Sequence, residues 1–549
     1  MKKAVLILSI ISIFVLGFYI QRSGDIYYEI SKNMEMFGKI YKEISFNYVD
    51  EINPEEFMRE GIKGMLKSLD PYTVFIDESK QDDIDLMTNG KYGGIGVTIG
   101  VRNDKVTITE IIEGYAAQKQ GLRIGDVVIE VDGQPITSSD IDDLSAKVKG
   151  EPGTTVQLKV LRNNDRDTLQ FNIIREEIVI KNLVYAGFYP ENSNNVYLKL
   201  TNFSRSASEE IKNALKKLKE EKPIHSIVLD LRGNPGGLLD IAVDVCNKFL
   251  QKDLLIVSTR GREASSEKKY FAKEEPIVPN EKLVVLINEN SASASEIVAG
   301  AIQDHDRGII LGTQSFGKGL VQTITPISYN TSLKITTAKY YTPSGRCIQK
   351  IDYSKKNKVF STPHIEERSE FTTDNQRRVY SAGGITPDTL VKFEIEGEIT
   401  KELLAKGIIF DFADKYYYTN QSTKFEKLND NKVFSEFISY IKSKEFNYTP
   451  EVEKNLNALI DELEKNKING KIMNAASKLK DELKNYFDKE LEKYKSEILG
   501  YFKIELATRY YNQKKGLEES LKYDKQFNTA LTLFENETVY NKLLNKKNN

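Results

Sequence analysis

Three serines crowd one short stretch, Asn288-Glu289-Asn290-Ser291-Ala292-Ser293-Ala294-Ser295-Glu296, between an apolar run and a segment with helical spacing. A side chain at a strand-to-helix turn is exposed and rigidly held. The first N–H groups of the helix lack internal partners and can donate to an oxyanion, as acyl transfer requires. Serine before a helix is also the ordinary way to cap it. The three therefore cannot all be nucleophiles, and at least one reads as the cap.

A serine nucleophile needs a base. The chain has three histidines, His225, His305 and His364. His305 follows Ser293 by twelve residues on the same helical pattern, about 18 Å away at the helical rise. His225 and His364 carry no supporting motif. Lysine is the other option, in Gly317-Lys318-Gly319-Leu320-Val321-Gln322. It acts as a base only when burial or neighbours favour its neutral form. The flanking glycines allow close backbone packing. Gln322, four residues on, is suited to orient a neutral amine without adding charge, the part played by the third member of a triad.

The same stretch comes within one residue of a phosphate-binding P-loop, Gly312-Thr313-Gln314-Ser315-Phe316-Gly317-Lys318-Gly319. Gly319 stands where Ser or Thr would hold a magnesium ion. The run Val321-Gln322-Thr323-Ile324-Thr325 looks like strand rather than helix, so the helix dipole is missing. Nucleotide binding is rejected.

An oxyanion hole needs two donors. Ala294 N–H is the natural first. The second is assigned to Asp230-Leu231-Arg232-Gly233-Asn234-Pro235-Gly236-Gly237, where Gly236 or Gly237 lets bare backbone approach a ligand.

Elements must position these groups. Ile227–Leu231 and Leu283–Asn288 are continuous apolar runs, as expected of strands buried on both faces. Leu238–Phe249 and Ala294–Gln303 have helical spacing, so residues 176–395 read as an α/β domain. Residues 89–175 differ, with short β runs at Gly96–Val101, Lys105–Ile111, Asp126–Val131, Val156–Leu161 and Leu169–Ile173. Val131-Asp132-Gly133-Gln134 is a hairpin signal among them. Residues 25–88 carry a helical pattern that ends at Asp70-Pro71. From 396 to 549 the chain is rich in Lys, Glu, Asn, Tyr and Leu at helical spacing, and reads as a helical extension.

The N-terminus begins with two lysines, then an uncharged apolar run from Ala4 to Ile20, then Arg22. That length lies at the short end of a membrane span, roughly 17–25 residues. No small-x-small cleavage site and no lipid-bearing cysteine follow. Residues 1–24 read as an uncleaved signal anchor, single-pass in a bacterial cytoplasmic membrane, the bulk of the chain extracytoplasmic (periplasmic). Secretion after cleavage is the alternative. A net charge of −2 gives no case for nucleic acid. Two distant cysteines, Cys246 and Cys347, form neither a disulfide framework nor a metal motif.

Together these segments resemble the C-terminal processing peptidases, or tail-specific proteases. The resemblance rests on Leu69-Asp70-Pro71, Tyr92-Gly93-Gly94-Ile95-Gly96-Val97, Asp230–Gly237, Ser291–Glu296, Phe316–Gln322, Tyr340-Tyr341-Thr342-Pro343-Ser344-Gly345-Arg346 and Gly383-Gly384-Ile385-Thr386-Pro387-Asp388. Each is weak alone; seven in the family's order are specific. The resemblance implies a multidomain α+β chain: anchor and helices, a PDZ domain over 89–175, a crotonase-like peptidase core over 176–395, and the helical extension. It implies a Ser–Lys dyad of Ser293 and Lys318 assisted by Gln322, with Ser295 and Glu296 supporting. It implies no metal and no cofactor. Substrates would be proteins with apolar C-terminal tails, the tail carboxylate held by the loop Gly93-Gly94-Ile95-Gly96-Val97. Tyr72 replaces the family's frequent His, and Lys149 its frequent Arg before glycine. Residues 396–549 carry no family motif and read as an arm for oligomerisation, substrate guidance or an adaptor. Two rival readings are a non-catalytic PDZ scaffold, which predicts loss of Ser293 or Lys318, and a small-molecule binder, which has no need of Lys318.

Overall fold

The computed structural model describes residues 26–78, 81–162, 167–353, 364–365, 367–444, 446, 448–468, 470–483 and 486–545. The expected anchor, residues 4–20, lies outside them. Among the described residues no helix is long and apolar enough to cross a membrane. The chain divides into two compact units. One holds the described residues up to Glu78 with Gln322–Thr336 and Tyr353, the other the rest.

In the first unit, residues 26–47 and Pro54–Lys67 are helices, as the spacing predicts. Asn53 caps the second through its side chain, with Pro54 in the first turn. The apolar residues of the first helix stay largely exposed, Met34 by 65%. The segment is not wholly helical: Val74–Ile76 pairs antiparallel with Ser332–Lys334.

The second unit is built on a six-stranded sheet in the order Leu183–Phe188, Asn195–Leu200, Ser226–Asp230, Lys282–Ile287, Ile309–Gly312, Thr389–Leu390. All its pairs are parallel except the first. Side chains alternate along each strand. Ile227, Leu229, Leu283 and Val285 face a core shared with the helices Ala207–Glu221, Leu239–Cys246 and Ala294–Asp304. Val228, Val284, Leu286, Ile309 and Leu311 face the other way, onto Leu521, Phe527, Ala530, Phe534 and Tyr540.

The continuous apolar runs are thus explained: both faces are covered. What covers the second face corrects the reading of residues 396–549. They are helical, but not merely an appendage, because the helices Gln513–Leu521, Lys525–Glu535 and Glu537–Leu543 form a layer of the peptidase core. Tyr540 exchanges hydrogen bonds with the main chain of Leu283, and Lys282 Nζ donates to the Phe534 carbonyl. A second cluster joins Phe412, Phe437, Tyr440 and Phe502 within the preceding helices.

The β-rich region forms its own sheet, ordered Val97–Arg102, Lys105–Ile111, Val127–Val131, Thr155–Arg162, Asp167–Ile174. Asp132 and Gly133 both take positive φ, 47° and 77°, as the hairpin signal requires.

Candidate active site

The strand Lys282–Ile287 is followed seven residues after its end by the helix Ala294–Asp304. Between them Ser293 holds φ 55° and ψ −113°, a conformation unusual for a residue with a side chain. Backbone strain of this sort persists only where the surroundings enforce it. Here Glu296 Oε2 accepts from Ser293 N–H at 2.8 Å, and the hydroxyl of Tyr340 donates to the Ser293 carbonyl at 3.2 Å.

The other two serines are committed elsewhere. Ser291 Oγ donates to the Leu231 carbonyl at 2.8 Å, and Ser295 Oγ to the Asn234 carbonyl at 3.0 Å; both residues are fully buried. Ser293 is half-buried.

Lys318 lies in the loop between the strands Ile309–Gly312 and Leu320–Pro326, which is strand rather than helix after the lysine, as expected. Its N–H donates to Glu296 Oε2 at 3.0 Å, the same oxygen that holds Ser293. Glu296 Oε1 accepts from Gly317 N–H at 2.7 Å and Ser315 Oγ at 2.6 Å. One buried carboxylate therefore ties the serine turn to the lysine loop. Burial pushes its pKa up to about 7, against the pull of those donors. The glycines beside Lys318 are needed for space. A Cβ on Gly317 would sit 2.8 Å from Lys350 Cβ, and one on Gly319 2.8 Å from Gln349 N.

Gln322 belongs to the first unit, where its amide donates to Thr336 Oγ1 at 3.3 Å. Thr336 N–H in turn donates to Thr73 Oγ1, whose hydroxyl donates to Asp70 Oδ2. The Asp70-Pro71 motif thus reaches the partner of Gln322.

The glycine turn lies against the serine. A Cβ on Gly236 would come within 2.9 Å of Ser293 Cβ and of Ala294 N. Gly236 N–H, however, donates to Asn234 Oδ1 at 2.9 Å, so it is already committed. The Asn234 carbonyl accepts from Ala292 N–H and Ser295 Oγ, both at 3.0 Å. Asn234 is thus the buckle between the two turns. It lay inside a motif but gave no separate signal, since a turn asparagine ordinarily bonds only its own loop.

Asp230, just ahead of this turn, is fully buried. Burial opposes its ionisation, but Arg232, Lys199 and the Tyr197 hydroxyl hold its carboxyl well below the usual range.

His305 is ruled out as a base by its contacts: its ring bonds Asp374 at 2.8 Å and the Leu255 carbonyl at 2.7 Å, at the far end of the helix. The later motifs brace that end. Buried Arg346 pairs with Asp304 at 2.7 Å and bonds Gln303, and Arg377 pairs with Asp306 and Asp388.

In the β-rich domain, Val97–Arg102 is an edge strand, paired only with Lys105–Ile111 among the described residues. Two of the five residues expected in the carboxylate loop sit in a strand. Gly93 and Gly94 lie in the strand Lys91–Gly94, paired antiparallel with Glu177 and Glu176. A Cβ on Gly93 would meet Gly150 O at 2.0 Å, so glycine serves close packing there. Ile95, Gly96 and Val97 remain as the turn into the edge strand, Gly96 at φ +82°.

Comparison with known proteins matches several parts of the chain to family profiles. A family profile described as peptidase family S41 matches residues 194–356, and a PDZ domain profile residues 93–173. The chain is 38% identical over 323 residues to a carboxy-terminal-processing protease of Bartonella bacilliformis, covering 58% of this chain and 73% of that protein. It belongs to the C-terminal processing peptidase family. The carboxy-terminal processing protease CtpB of Bacillus subtilis is 30% identical, over 70% of this chain and 77% of its own. Two further profiles match this peptidase: "Activating protease CtpB N-terminal domain" at residues 19–80, and "Probable PDZ-protease, C-terminal helical domain" at residues 399–534. A solved structure, the photosystem II D1 C-terminal processing protease, is similar over 64% of this chain and 85% of its own, at 24% identity and a TM-score of 0.35. The chain is therefore a serine-type processing peptidase with a PDZ domain, an S41 core and a C-terminal helical domain.

Proposed function

We propose that Ser293 is the nucleophile and Lys318 the general base of this peptidase, with Gln322 orienting the lysine amine. The observation that carries this reading is Glu296 Oε2, which accepts from the N–H groups of both Ser293 and Lys318. Commitment of the Ser291 and Ser295 hydroxyls to main-chain carbonyls supports the same choice of serine.

Ser293 Oγ attacks the scissile carbonyl while its proton passes to neutral Lys318. Ala294 N–H and Gly237 N–H receive the developing oxyanion, Gly236 serving instead to let the two turns touch. The lysine ammonium then returns the proton to the leaving amine, and water cleaves the ester by the same path. An extended C-terminal tail adds to the open edge of Val97–Arg102, its carboxylate met by the N–H groups of Ile95, Gly96 and Val97, and apolar side chains face the adjoining helix Ile141–Val148. The apolar run at residues 4–20 assigns the work to the outer side of the cytoplasmic membrane and to exported proteins.

The test is digestion of an unfolded protein with an apolar C-terminus by wild type, Ser293→Ala and Lys318→Ala. Both variants are expected to lose at least ~1000-fold in kcat. Equal activity in all three would sink the dyad. Wild-type activity should also rise toward alkaline pH as the base loses its proton; a flat profile would remove Lys318 from that role.

A further inference from the structure

The oxyanion turn is gripped from the C-terminal helices. Arg232 opens the turn, two residues before the Asn234 buckle. Its Nη2 donates to Asp524 at 2.6 Å and its Nη1 to Gln526 Oε1 at 2.8 Å. The same guanidinium binds both oxygens of Asp230, through Nε at 3.0 Å and Nη2 at 2.6 Å. Asp524 has a second duty. Its other oxygen accepts from the Gln526 and Phe527 N–H groups at 2.9 and 3.0 Å, capping the helix Lys525–Glu535. The Phe527 ring then meets Tyr197 edge-on at 5.3 Å, and the Tyr197 hydroxyl donates to Asp230 at 2.6 Å. The start of one helix thus reaches the base of the turn by two routes.

These groups are little exposed: the side chains of Arg232, Asp524 and Asp230 are 14%, 11% and 0% accessible. Charge-assisted hydrogen bonds in such surroundings are strong and escape most solvent screening. Packing does not replace them. Arg232, Gly233 and Asn288 line an open cavity of about 450 Å³, together with Asp524, Gln526 and Tyr523. On that side Lys199 Nζ donates to the Arg232 carbonyl at 2.8 Å and Gly233 N–H to Asn288 Oδ1 at 2.9 Å, and the guanidinium clamp adds the tie from the turn to the C-terminal helices.

We infer that Asp524 and Gln526 are positioning residues for hydrolysis, fixing the oxyanion turn through Arg232 and so coupling the C-terminal helical domain to catalysis. The inference rests on the reading of Ser293 as the nucleophile with Gly237 N–H as an oxyanion donor. A misplaced donor weakens the transition state more than the bound substrate. The clamp therefore acts on kcat and leaves KM alone.

The experiment compares wild type with Gln526→Met, Gln526→Glu and Asp524→Asn in the full chain. It measures kcat and KM on a chromogenic peptide, the inhibition constant of a matching peptide aldehyde that forms a tetrahedral adduct, and the thermal midpoint. Asn536→Ala serves as control, because Asn536 caps the next helix without touching Arg232. Gln526→Met and Asp524→Asn should lower kcat about tenfold, with KM within about twofold and aldehyde affinity falling in step with kcat. Gln526→Glu and Gln526→Met both lose the amide donor to the Val391 carbonyl at 2.6 Å, but Gln526→Glu keeps the acceptor facing Arg232 and should keep more of kcat than Gln526→Met. Unchanged kcat in both clamp variants overturns the inference. So does a rise in KM alone, an unchanged aldehyde affinity, equal loss in Gln526→Glu and Gln526→Met, or a loss that follows the midpoint as in Asn536→Ala. Failure of the underlying reading looks different: Ser293→Ala would then keep full hydrolysis.

Discussion

Glu296 shows how much one carboxylate can organise. Four donors from two loops converge on it, and it is fully buried. Glu296→Gln replaces one acceptor oxygen with an amide that faces donors. We expect a loss of about 2–4 kcal/mol in denaturant unfolding and more than ~10-fold in hydrolysis, read on the same preparation. The pH dependence has a definite sign. Burial raises its pKa from 4.5 to about 7. The folded protein therefore holds a proton that the unfolded chain has released across that window. This group's contribution to stability is full below pH 4.5 and is lost as pH rises through about 7. Unfolding free energy measured from pH 5 to 8 should fall less steeply in Glu296→Gln than in wild type, and equal slopes would count against this titration. Activity runs the other way, since the ionised form accepts all four donors.

At the scale of elements, two turns decide the site because neither has room for a side chain. Gly236 sits at φ +104°, and an added Cβ would lie 2.7 Å from the Ala292 carbonyl. Gly236→Ala should cost about 1–3 kcal/mol from backbone strain and abolish most hydrolysis, while the PDZ domain still binds a tail peptide. Gly96, at φ +82°, where an added Cβ would lie 2.8 Å from Tyr115 Cβ, makes the converse case. Gly96→Ala should weaken calorimetric binding of a free-carboxylate peptide at least ~10-fold. Labelling of Ser293 by a small phosphonylating reagent should be unchanged. If an amidated peptide binds wild type as well as the free acid, the carboxylate loop is misassigned.

At the scale of the molecule, the peptidase core is finished by the end of the chain. A parallel sheet needs both faces covered, and here the second cover is the last three helices. Phe527, 1% exposed against Tyr189 and Tyr197, is central to that layer. Phe527→Ala should cost about 3–5 kcal/mol in denaturant unfolding. Deleting residues from 513 onward should leave Val228, Val284 and Leu286 open to water and prevent cooperative unfolding of the core. A truncated chain that melts like the full one would show the layer to be dispensable.

Much of this architecture was legible because local patterns carry it. Alternating runs, the Asp132-Gly133 turn and apolar strands each depend on neighbours a few residues away. The serine turn, lysine loop and glycine turn were legible as motifs, since each needs residue types that little else requires. Other features depended on meetings across the chain. Gly93 and Gly94 read as a ligand loop, yet pair with Glu177 and Glu176, more than eighty residues on. Asn234 reads as any turn asparagine, yet its carbonyl sits between Ala292 and Ser295.

By itself the sequence determined which chemistry is available: one serine turn, a glycine-flanked lysine, no well-placed histidine, and two-faced apolar strands. Spacing and residue type settle that much, because they act within a few bonds. Only the tertiary structure decided that Glu296 joins the serine and lysine loops, that the Asn234 carbonyl binds Ala292 and Ser295, and that residues 513–544 are core rather than arm. Each of those is a contact between segments distant in the chain, and local pattern carries no record of which distant partner will complete it.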